Sequence, residues 1–393
     1  MKIDNSKVVS TGWRHKDRLR VATEVHWRGL PQQTFSEKRR LHAVLSVLPT
    51  LANIRILSLY NADISEAQQA IIFGISTLRT LVVHSCEFQP STKPLPLSRV
   101  NTLNFTGVKA IGHLLTLLAT TVESLEITGD DDPIGPALQN VLIELPKLSS
   151  FTMKCQGHVL SRPISDTFKR YNSITTICII FDKCYMGVSF DHLDLPALCS
   201  VTCNYLFAML LVPQRPVTTY VEVRFLQARH LATLLNTLSK TCAQITNLKL
   251  FVSGRFYKLT PSLAASLQHL EQLTLRDLDD HERWFEPYAR LSGWSPLHPL
   301  GVLPKLKWVT YWVANYISAD FPLEGVIRTW VTPVCPALEV FECLSFTVDT
   351  PDFVTGWPAE PIRVWKVQKL PDGSWERQGP PPIPTPVPAN KTL

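Results

Sequence analysis

Apolar residues recur along this chain in a short phrase of fixed spacing. The segment from Leu78 to Phe88 has apolar side chains at Leu78, Leu81, Val83, Cys86 and Phe88. The alternation in the middle of this phrase predicts a β-strand. Phrases with the same spacing begin at residues 54, 100 and 122, so successive starts are 24, 22 and 22 residues apart. A period of this length indicates a repeat architecture in which each unit contributes one strand.

The phrase continues with decreasing regularity almost to the C-terminus. Later copies begin at Leu148, Ile174, Leu198, Ile245, Leu270, Leu306 and Leu338, and a weak copy holds only Val221 and Val223. A proline lies just before several of these starts. Because proline cannot donate a hydrogen bond to a sheet, it suits the turn before a strand. The series amounts to about eleven to twelve degenerate repeats.

Segments with helical periodicity lie between most of the phrases. They are Ser36 to Leu45, Glu66 to Ile72, Ala110 to Ala119, Ile134 to Leu145, Leu226 to Lys240, Pro261 to Leu270 and Phe321 to Trp330. Ser36 and Ser65 are suitable N-caps for the first two. The phrase L-x-x-L-x-L-x-x-C-x-L with helices in between is the pattern of a leucine-rich repeat. The predicted fold is α/β, a leucine-rich-repeat solenoid (horseshoe) with parallel strands on the concave face and helices on the convex face.

Charge and composition divide the chain into three parts. Residues 1–40 carry ten Lys or Arg against four acidic residues, an excess that equals the formal net charge of +6 for the whole chain. They form a basic N-terminal segment in which residues 21–27 look like an extra, partial repeat strand. Residues 41–370 hold the solenoid, with a last strand predicted at 364–367. Residues 371–393 begin with a turn and contain the run GPPPIPTPVP, which predicts a proline-rich disordered tail.

The chain lacks the sequence motifs of common catalytic and cofactor sites. It has no Gly-rich phosphate loop, no G-x-S-x-G and no H-E-x-x-H. The acidic runs at 129–133 and 277–282 lack the alternating ligands and the distal glutamate of a calcium loop. Cys199 and Cys203 have no second ligand pair for zinc. The sequence therefore predicts a protein that is not an enzyme and that has neither a cofactor nor a metal site.

The sequence also bears on the compartment. No segment approaches the roughly 20 apolar residues of a membrane span, and the N-terminus lacks the apolar core of a signal peptide. Most of the nine cysteines occupy positions that favour buried, reduced thiols. The basic N-terminal segment is interrupted by acids and has no stacking aromatic pattern, so nucleic-acid binding is not predicted. These features favour the cytoplasm or the nucleus, without membrane attachment.

Residues between the core positions of each strand should face outward on the concave side. In the middle of the chain these positions are small and neutral, and towards the C-terminus they become larger and charged. Eight of the ten tryptophans lie beyond residue 280, which favours a binding surface because Trp, Tyr and Arg dominate interface hot spots. The candidate partner-binding residues are Arg224, Lys249, Arg276, Trp308 and Trp312. The alternative is that the C-terminal aromatic residues form a structural cap over the open end of the core.

The spaced L-P-x-L-x-x-L phrases, the degenerate repeats and the Trp-rich terminal segment resemble the F-box/leucine-rich-repeat proteins of mushroom-forming fungi, over roughly residues 40–370. The resemblance implies that the repeats hold a substrate while an N-terminal F-box docks on the adaptor of an SCF ubiquitin ligase. Residues 1–40 contain no Leu-Pro-x-Glu start of an F-box; either the F-box has been lost or the start of the gene is missing from this sequence. The expected function is a non-catalytic scaffold that binds a protein partner on its concave face, as the substrate-recognition repeat region of such a receptor. The alternative is a stand-alone scaffold unrelated to ubiquitination.

Overall fold

The structure is a computed structural model of the 393-residue chain. It describes residues 2–4, 23–29, 35–50, 53–90, 99–107, 120–129, 145–155, 173–181, 195–217, 220–241, 243–253, 267–277, 303–314, 335–346 and 363–378. The chain divides into two compact units, unit 1 (Met1–Leu198) and unit 2 (Cys199–Leu393). Each unit is α/β and is dominated by a parallel sheet.

Unit 1 contains a sheet whose described strands are all parallel. In sheet order they are β1 (Lys2–Asp4), β2 (Glu24–Arg28), β3 (Ile56–Tyr60), β5 (Thr80–His84), β7 (Thr102–Thr106), β8 (Ser124–Gly129), β9 (Ser150–Cys155) and β10 (Thr176–Phe181). The strands β4 (Asp63–Ile64) and β6 (Glu87–Phe88) pair in a separate two-stranded sheet. Equivalent positions of successive phrases pair in the sheet: Leu57 pairs with Leu81, and Leu81 pairs with Leu103. The strands thus lie on the phrases that predicted them, and the extra strand predicted at residues 21–27 corresponds to β2.

Unit 2 has the same pattern of parallel strands, followed by two antiparallel strands at its C-terminal end. The parallel strands are β11 (Ser200–Asn204), β12 (Tyr220–Gln227), β13 (Asn247–Ser253), β14 (Gln272–Asp277), β15 (Trp308–Ala314) and β16 (Val340–Phe346). The strands β17 (Arg363–Lys369) and β18 (Trp375–Gln378) are antiparallel to their neighbours.

The C-terminal strands form a hairpin. The last strand predicted from the sequence corresponds to β17, and the turn that follows has Gly373 at a φ of 82°, where glycine is favoured. The strand β18 lies inside the segment predicted to be a tail, because Arg377 pairs with Val367 of β17. The described strands therefore extend to Gln378, and residues 379–393 of the predicted tail lie outside the described residues.

Four helices are described. They are α1 (Phe35–Val47) and α2 (Glu66–Phe73) in unit 1, and α3 (Tyr205–Leu211) and α4 (Leu231–Leu238) in unit 2; short 3-10 helices occupy Leu48–Thr50 and Ala228–His230. No described helix is long and apolar enough to cross a membrane.

The helix predictions have mixed outcomes. The first two are confirmed as α1 and α2, and Ser65 caps α2 as expected. The prediction that Ser36 caps α1 is wrong, because that helix already begins at Phe35. The helix predicted from residue 226 begins too early, because Leu226 still belongs to β12 and pairs with Val252 of β13; the helix itself is α4. The predictions at residues 110–119, 134–144, 261–266 and 321–330 lie outside the described residues.

The repeated apolar residues form the core. Leu57, Leu81, Leu103 and Leu125 have no exposed surface, while most intervening strand residues are partly exposed. Burying these leucines against those of neighbouring strands is the main stabilising contribution, at about 25 cal/mol per Å² of apolar surface removed from water.

Cys86 shows how a loop is held onto this core. The Ala62 N–H donates to Cys86 Sγ at 3.3 Å, and that thiol lies 3.4 Å from the Leu59 carbonyl oxygen. The prediction that Cys86 and Cys203 are buried free thiols is confirmed, whereas Cys178 and Cys199 are only half-buried.

Candidate partner-binding surface

Alternate residues of each strand point away from the apolar core, and we call the surface that they form the strand face. In unit 2 a central row of strand-face residues runs across the strands in register. From β11 to β17 it comprises Thr202, Glu222, Lys249, Thr274, Thr310, Glu342 and Lys366. After Thr202, Glu222 is the neighbour of Lys249, and Glu342 is the neighbour of Lys366, with Thr274 and Thr310 between these two acid–base pairs. The charges of the central row therefore compensate one another.

Arg224, predicted to contact a partner, is buried instead. Its Nε lies 2.6 Å from Oε1 of Glu222, and the two residues are 5% and 2% exposed. The Tyr220 hydroxyl donates to the other oxygen of the same carboxylate. The Arg224 guanidinium also lies 5.4 Å from the ring centroid of Phe251, a cation–π distance. This charge is paired inside unit 2, and its side chain is not exposed, contrary to the prediction from the alternation.

Lys249 is half-buried in the central row. Its Nζ lies 5.3 Å from the ring centroid of Tyr220, again within cation–π range. Lys249 thus places its charge beside the buried pair of Glu222 and Arg224. It remains partly accessible, in agreement with a position on the strand face.

Trp308 is held in place by polar neighbours. Its Nε1 donates to Thr310 Oγ1 at 3.1 Å and to Glu342 Oε2 at 3.3 Å. Lys366 Nζ lies 5.2 Å from the centre of the indole ring. We call Trp308, Thr310, Glu342 and Lys366 the tryptophan cluster. Its indole is partly exposed and its orientation is fixed from two other strands.

The remaining two predicted residues are described only by their backbone. Arg276 and Trp312 pair in register on β14 and β15, and Arg276 also pairs with Phe251 on β13. Their side chains lie outside the described part of the structure. Of the three predicted residues with described side chains, Lys249 and Trp308 are partly exposed on the strand face. Their strands are two apart, which is about 10 Å at the usual strand spacing.

The strand face of unit 1 is different in character. From β5 to β10, one of its rows consists of small hydroxyl residues, as the sequence predicted: Thr80, Thr102, Ser124, Ser150 and Thr176. The next row contains Glu126, whose carboxylate accepts from Asn104 Nδ2 at 2.8 Å and pairs with Lys154 Nζ at 2.7 Å. The sequence predicted small, neutral residues on the strand face in the middle of the chain, and the charged pair of Glu126 and Lys154 is an exception to that prediction.

A cation–aromatic stack lies near the N-terminal side of unit 1. The Arg28 guanidinium is 5.5 Å from the ring centroid of Tyr60, and the Tyr60 ring is 5.5 Å from that of His84. Sequence reasoning missed the stack. The available signal was that these residues occupy the same offset in successive strands, so that they stand side by side.

Both strand faces carry groups that can make noncovalent contacts. They present carboxylates, amines, hydroxyls and aromatic rings in fixed positions, which suits hydrogen bonding and packing against another molecule. Within the described residues, no group of three or more His, Cys, Asp or Glu could hold a metal ion. No protein-family model matches the sequence, and no curated protein matches it.

Proposed function

We propose that this protein is a non-catalytic scaffold that holds a protein partner on the strand face of a leucine-rich-repeat solenoid. The tryptophan cluster is the main support. Tryptophan contributes disproportionately to interfaces, and a side chain whose orientation is already fixed loses less entropy on binding. Trp308 has both properties, because Glu342 and Lys366 orient an indole that remains partly exposed.

The more specific proposal is that the scaffold is the substrate-recognition repeat region of an F-box/leucine-rich-repeat receptor of a ubiquitin ligase, working in the cytoplasm or nucleus. The spaced phrases and the Trp-rich terminal segment support it. The alternative is a scaffold unrelated to ubiquitination. Both proposals use the same strand face and differ in what else the protein recruits.

Affinity capture of the tagged full-length chain, followed by mass spectrometry, distinguishes the two. Recovery of an SCF adaptor and a cullin supports the receptor proposal. Recovery of other proteins without them supports the plain scaffold. The capture is repeated with Trp308→Ala combined with Trp312→Ala, and with Trp375→Ala as a matched control in the hairpin of unit 2.

Circular dichroism and thermal unfolding of each variant complete the test. Loss of the partner from a folded double variant, with retention by Trp375→Ala, supports binding through the part of the strand face that carries Trp308 and Trp312. Unfolding of the double variant supports the structural-cap alternative, and Trp308→Phe then separates the two roles because it keeps a ring beneath Lys366. Unchanged partners in every folded variant would refute the assignment of the surface.

A further inference from the structure

Three arginines form an exposed group where the strands of unit 1 begin. Arg55 and Arg79 directly precede β3 and β5, and the Arg79 N–H donates to the Arg55 carbonyl oxygen at 2.9 Å. Arg79 Nη1 in turn donates to the Arg99 carbonyl oxygen at 3.3 Å. All three residues are exposed. We call Arg55, Arg79 and Arg99 the basic rim.

The positive charge of the basic rim is not compensated within the described part of unit 1. The ion pairs found there join Glu24 to His26, Lys38 to Asp63, and Lys154 to Glu126, and none of them includes a rim arginine. Like charges on neighbouring strands repel one another. An anion bound across them would relieve this repulsion.

The equivalent edge of unit 2 is arranged differently. Its row of equivalent positions is linked as in unit 1, by a backbone N–H of each residue that donates to the carbonyl oxygen of the one on the preceding strand. The row comprises Glu271, Lys307, Glu339 and Lys369. Their charges alternate in sign, and Lys307 Nζ lies 3.3 Å from Glu271 Oε2. Two neighbouring charges of the same sign, such as those of Arg55 and Arg79, are therefore not a general property of this strand edge. The third arginine of the basic rim, Arg99, lies two residues before Asn101, which is the next member of the row.

We infer that the basic rim binds an acidic segment of the protein partner. The guanidinium group binds carboxylates through two parallel hydrogen bonds, and Arg79 uses only one N–H in its contact with Arg99. Neighbouring strands are about 4.8 Å apart, and alternate residues of an extended peptide are about 6.7 Å apart. Arginine side chains are long and flexible enough to bridge this difference, so arginines on neighbouring strands can contact acidic residues at alternate positions of the peptide. The inference rests on the proposed function, because the rim borders the strand face of unit 1.

A peptide fits the rim better than a nucleic acid does. The same row of residues continues from Arg79 to Asn101 and then to Glu123, and Asn101 Nδ2 donates to Glu123 Oε2 at 3.3 Å. That exposed carboxylate would repel a continuous phosphate backbone that follows the row. A short acidic segment needs only the arginines and can end before Glu123.

The test is binding of a fluorescein-labelled peptide of alternating Glu and Ser to the full-length protein, followed by fluorescence anisotropy. The same peptide with Gln in place of Glu is the ligand control. The rim variant combines Arg55→Gln, Arg79→Gln and Arg99→Gln. The matched protein control combines Lys305→Gln, Lys307→Gln and Lys369→Gln in unit 2, which removes the same amount of charge from exposed or partly exposed positions.

We expect the acidic peptide to bind and the Gln peptide not to bind, with affinity falling as salt is added. The rim variant should lose about tenfold or more in affinity, and the unit 2 control should stay within about twofold of wild type. Arg79→Lys keeps the charge but not the bidentate hydrogen-bonding geometry of the guanidinium. Its affinity for the peptide should lie between those of the rim variant and the unit 2 control. Thermal unfolding checks that each variant is folded.

Several results would overturn the inference. They are no binding of the acidic peptide, equal losses in the two triple variants, and tighter binding of a single-stranded RNA homopolymer than of the peptide. Partner capture with the rim variant separates this inference from the proposed function. If the rim variant keeps the captured partner while the Trp308 and Trp312 variant loses it, the scaffold proposal stands and the rim inference fails.

Discussion

Glu222 and Arg224 form an ion pair from neighbouring positions on the same face of one strand, and both side chains are buried. The distance from Nε to Oε1 is 2.6 Å. Taking two charges out of water is costly, and only the close pairing and the surrounding groups offset that cost. The pair is therefore far more sensitive to the loss of one partner than an exposed pair of the same chemistry.

Replacement of one partner should destabilise unit 2 strongly. Glu222→Gln keeps the shape of the side chain but removes the negative charge that pairs with the buried Arg224 cation. We expect the free energy of unfolding to fall by about 3–5 kcal/mol. Urea unfolding followed by circular dichroism measures the loss.

The control is Glu271→Gln, the same chemical change in the exposed pair with Lys307. That pair lies at 3.3 Å, and its side chains are 46% and 49% exposed. Its loss should cost no more than about 1 kcal/mol. Equal effects of the two substitutions would mean that burial does not distinguish the pairs, contrary to this prediction.

The positions of the strands could be read from the sequence because the period of apolar residues also fixes the register. Leu81 and Leu103 occupy the same place in successive phrases, and they pair in the sheet. The end of β12 could not be read in this way. Leu226 fits a helical pattern locally, but it pairs with Val252 after a shift in register, and that long-range pairing overrides the local preference.

The candidate site was less predictable than the fold. Alternation along a strand indicates the side on which a residue lies but not how deeply its side chain is buried. Alternation therefore predicts that Arg224 is exposed, whereas it is buried in a pair with Glu222, only two residues away. The position of Lys366 over Trp308 depends on the antiparallel strand β17, which no local pattern places beside β15.

Ser65 should contribute measurably to stability through its capping box. Its side chain accepts from the Gln68 N–H, and the Gln68 side chain accepts from the Ser65 N–H at 2.8 Å. Ser65→Ala should lower the free energy of unfolding by about 1 kcal/mol. Ser46→Ala, which removes an exposed hydroxyl bonded to the Ala43 carbonyl, should change it by less than about 0.5 kcal/mol. A loss no larger for Ser65→Ala than for Ser46→Ala would argue against the cap.

The contact between Lys366 and the Trp308 ring should appear as an energetic coupling. A double-mutant cycle with Trp308→Leu and Lys366→Met should give a coupling of about 0.5–1 kcal/mol, the value for a partly exposed cation–π pair. The control is a second cycle with Trp308→Leu and Lys369→Met, since Lys369 is a base on the same strand. Its coupling should be near zero. Similar values from the two cycles would show that the ring does not recognise the Lys366 ammonium.

The buried thiols should make stability depend on pH in the alkaline range. Burial raises the pKa of Cys86 from 9.0 to about 11 and that of Cys335 from 9.0 to about 12. At a pH below 9.0 these thiols are protonated in the folded and the unfolded states, so their contribution is fully present. As the pH rises above 9.0, the unfolded chain releases these protons while the folded chain retains them, and stability falls.

Each thiol should reduce the free energy of unfolding by about 1.4 kcal/mol per pH unit within its window, which ends near pH 11 for Cys86 and pH 12 for Cys335. Urea unfolding at a series of pH values measures this slope in the wild type, in Cys86→Ala and in the variant that also carries Cys335→Ala. The slope should become shallower with each substitution, because the other titrating groups are common to all three proteins. A slope that is the same in all three would show that these thiols ionise equally readily in the folded and unfolded chains, and that burial does not protect their protons.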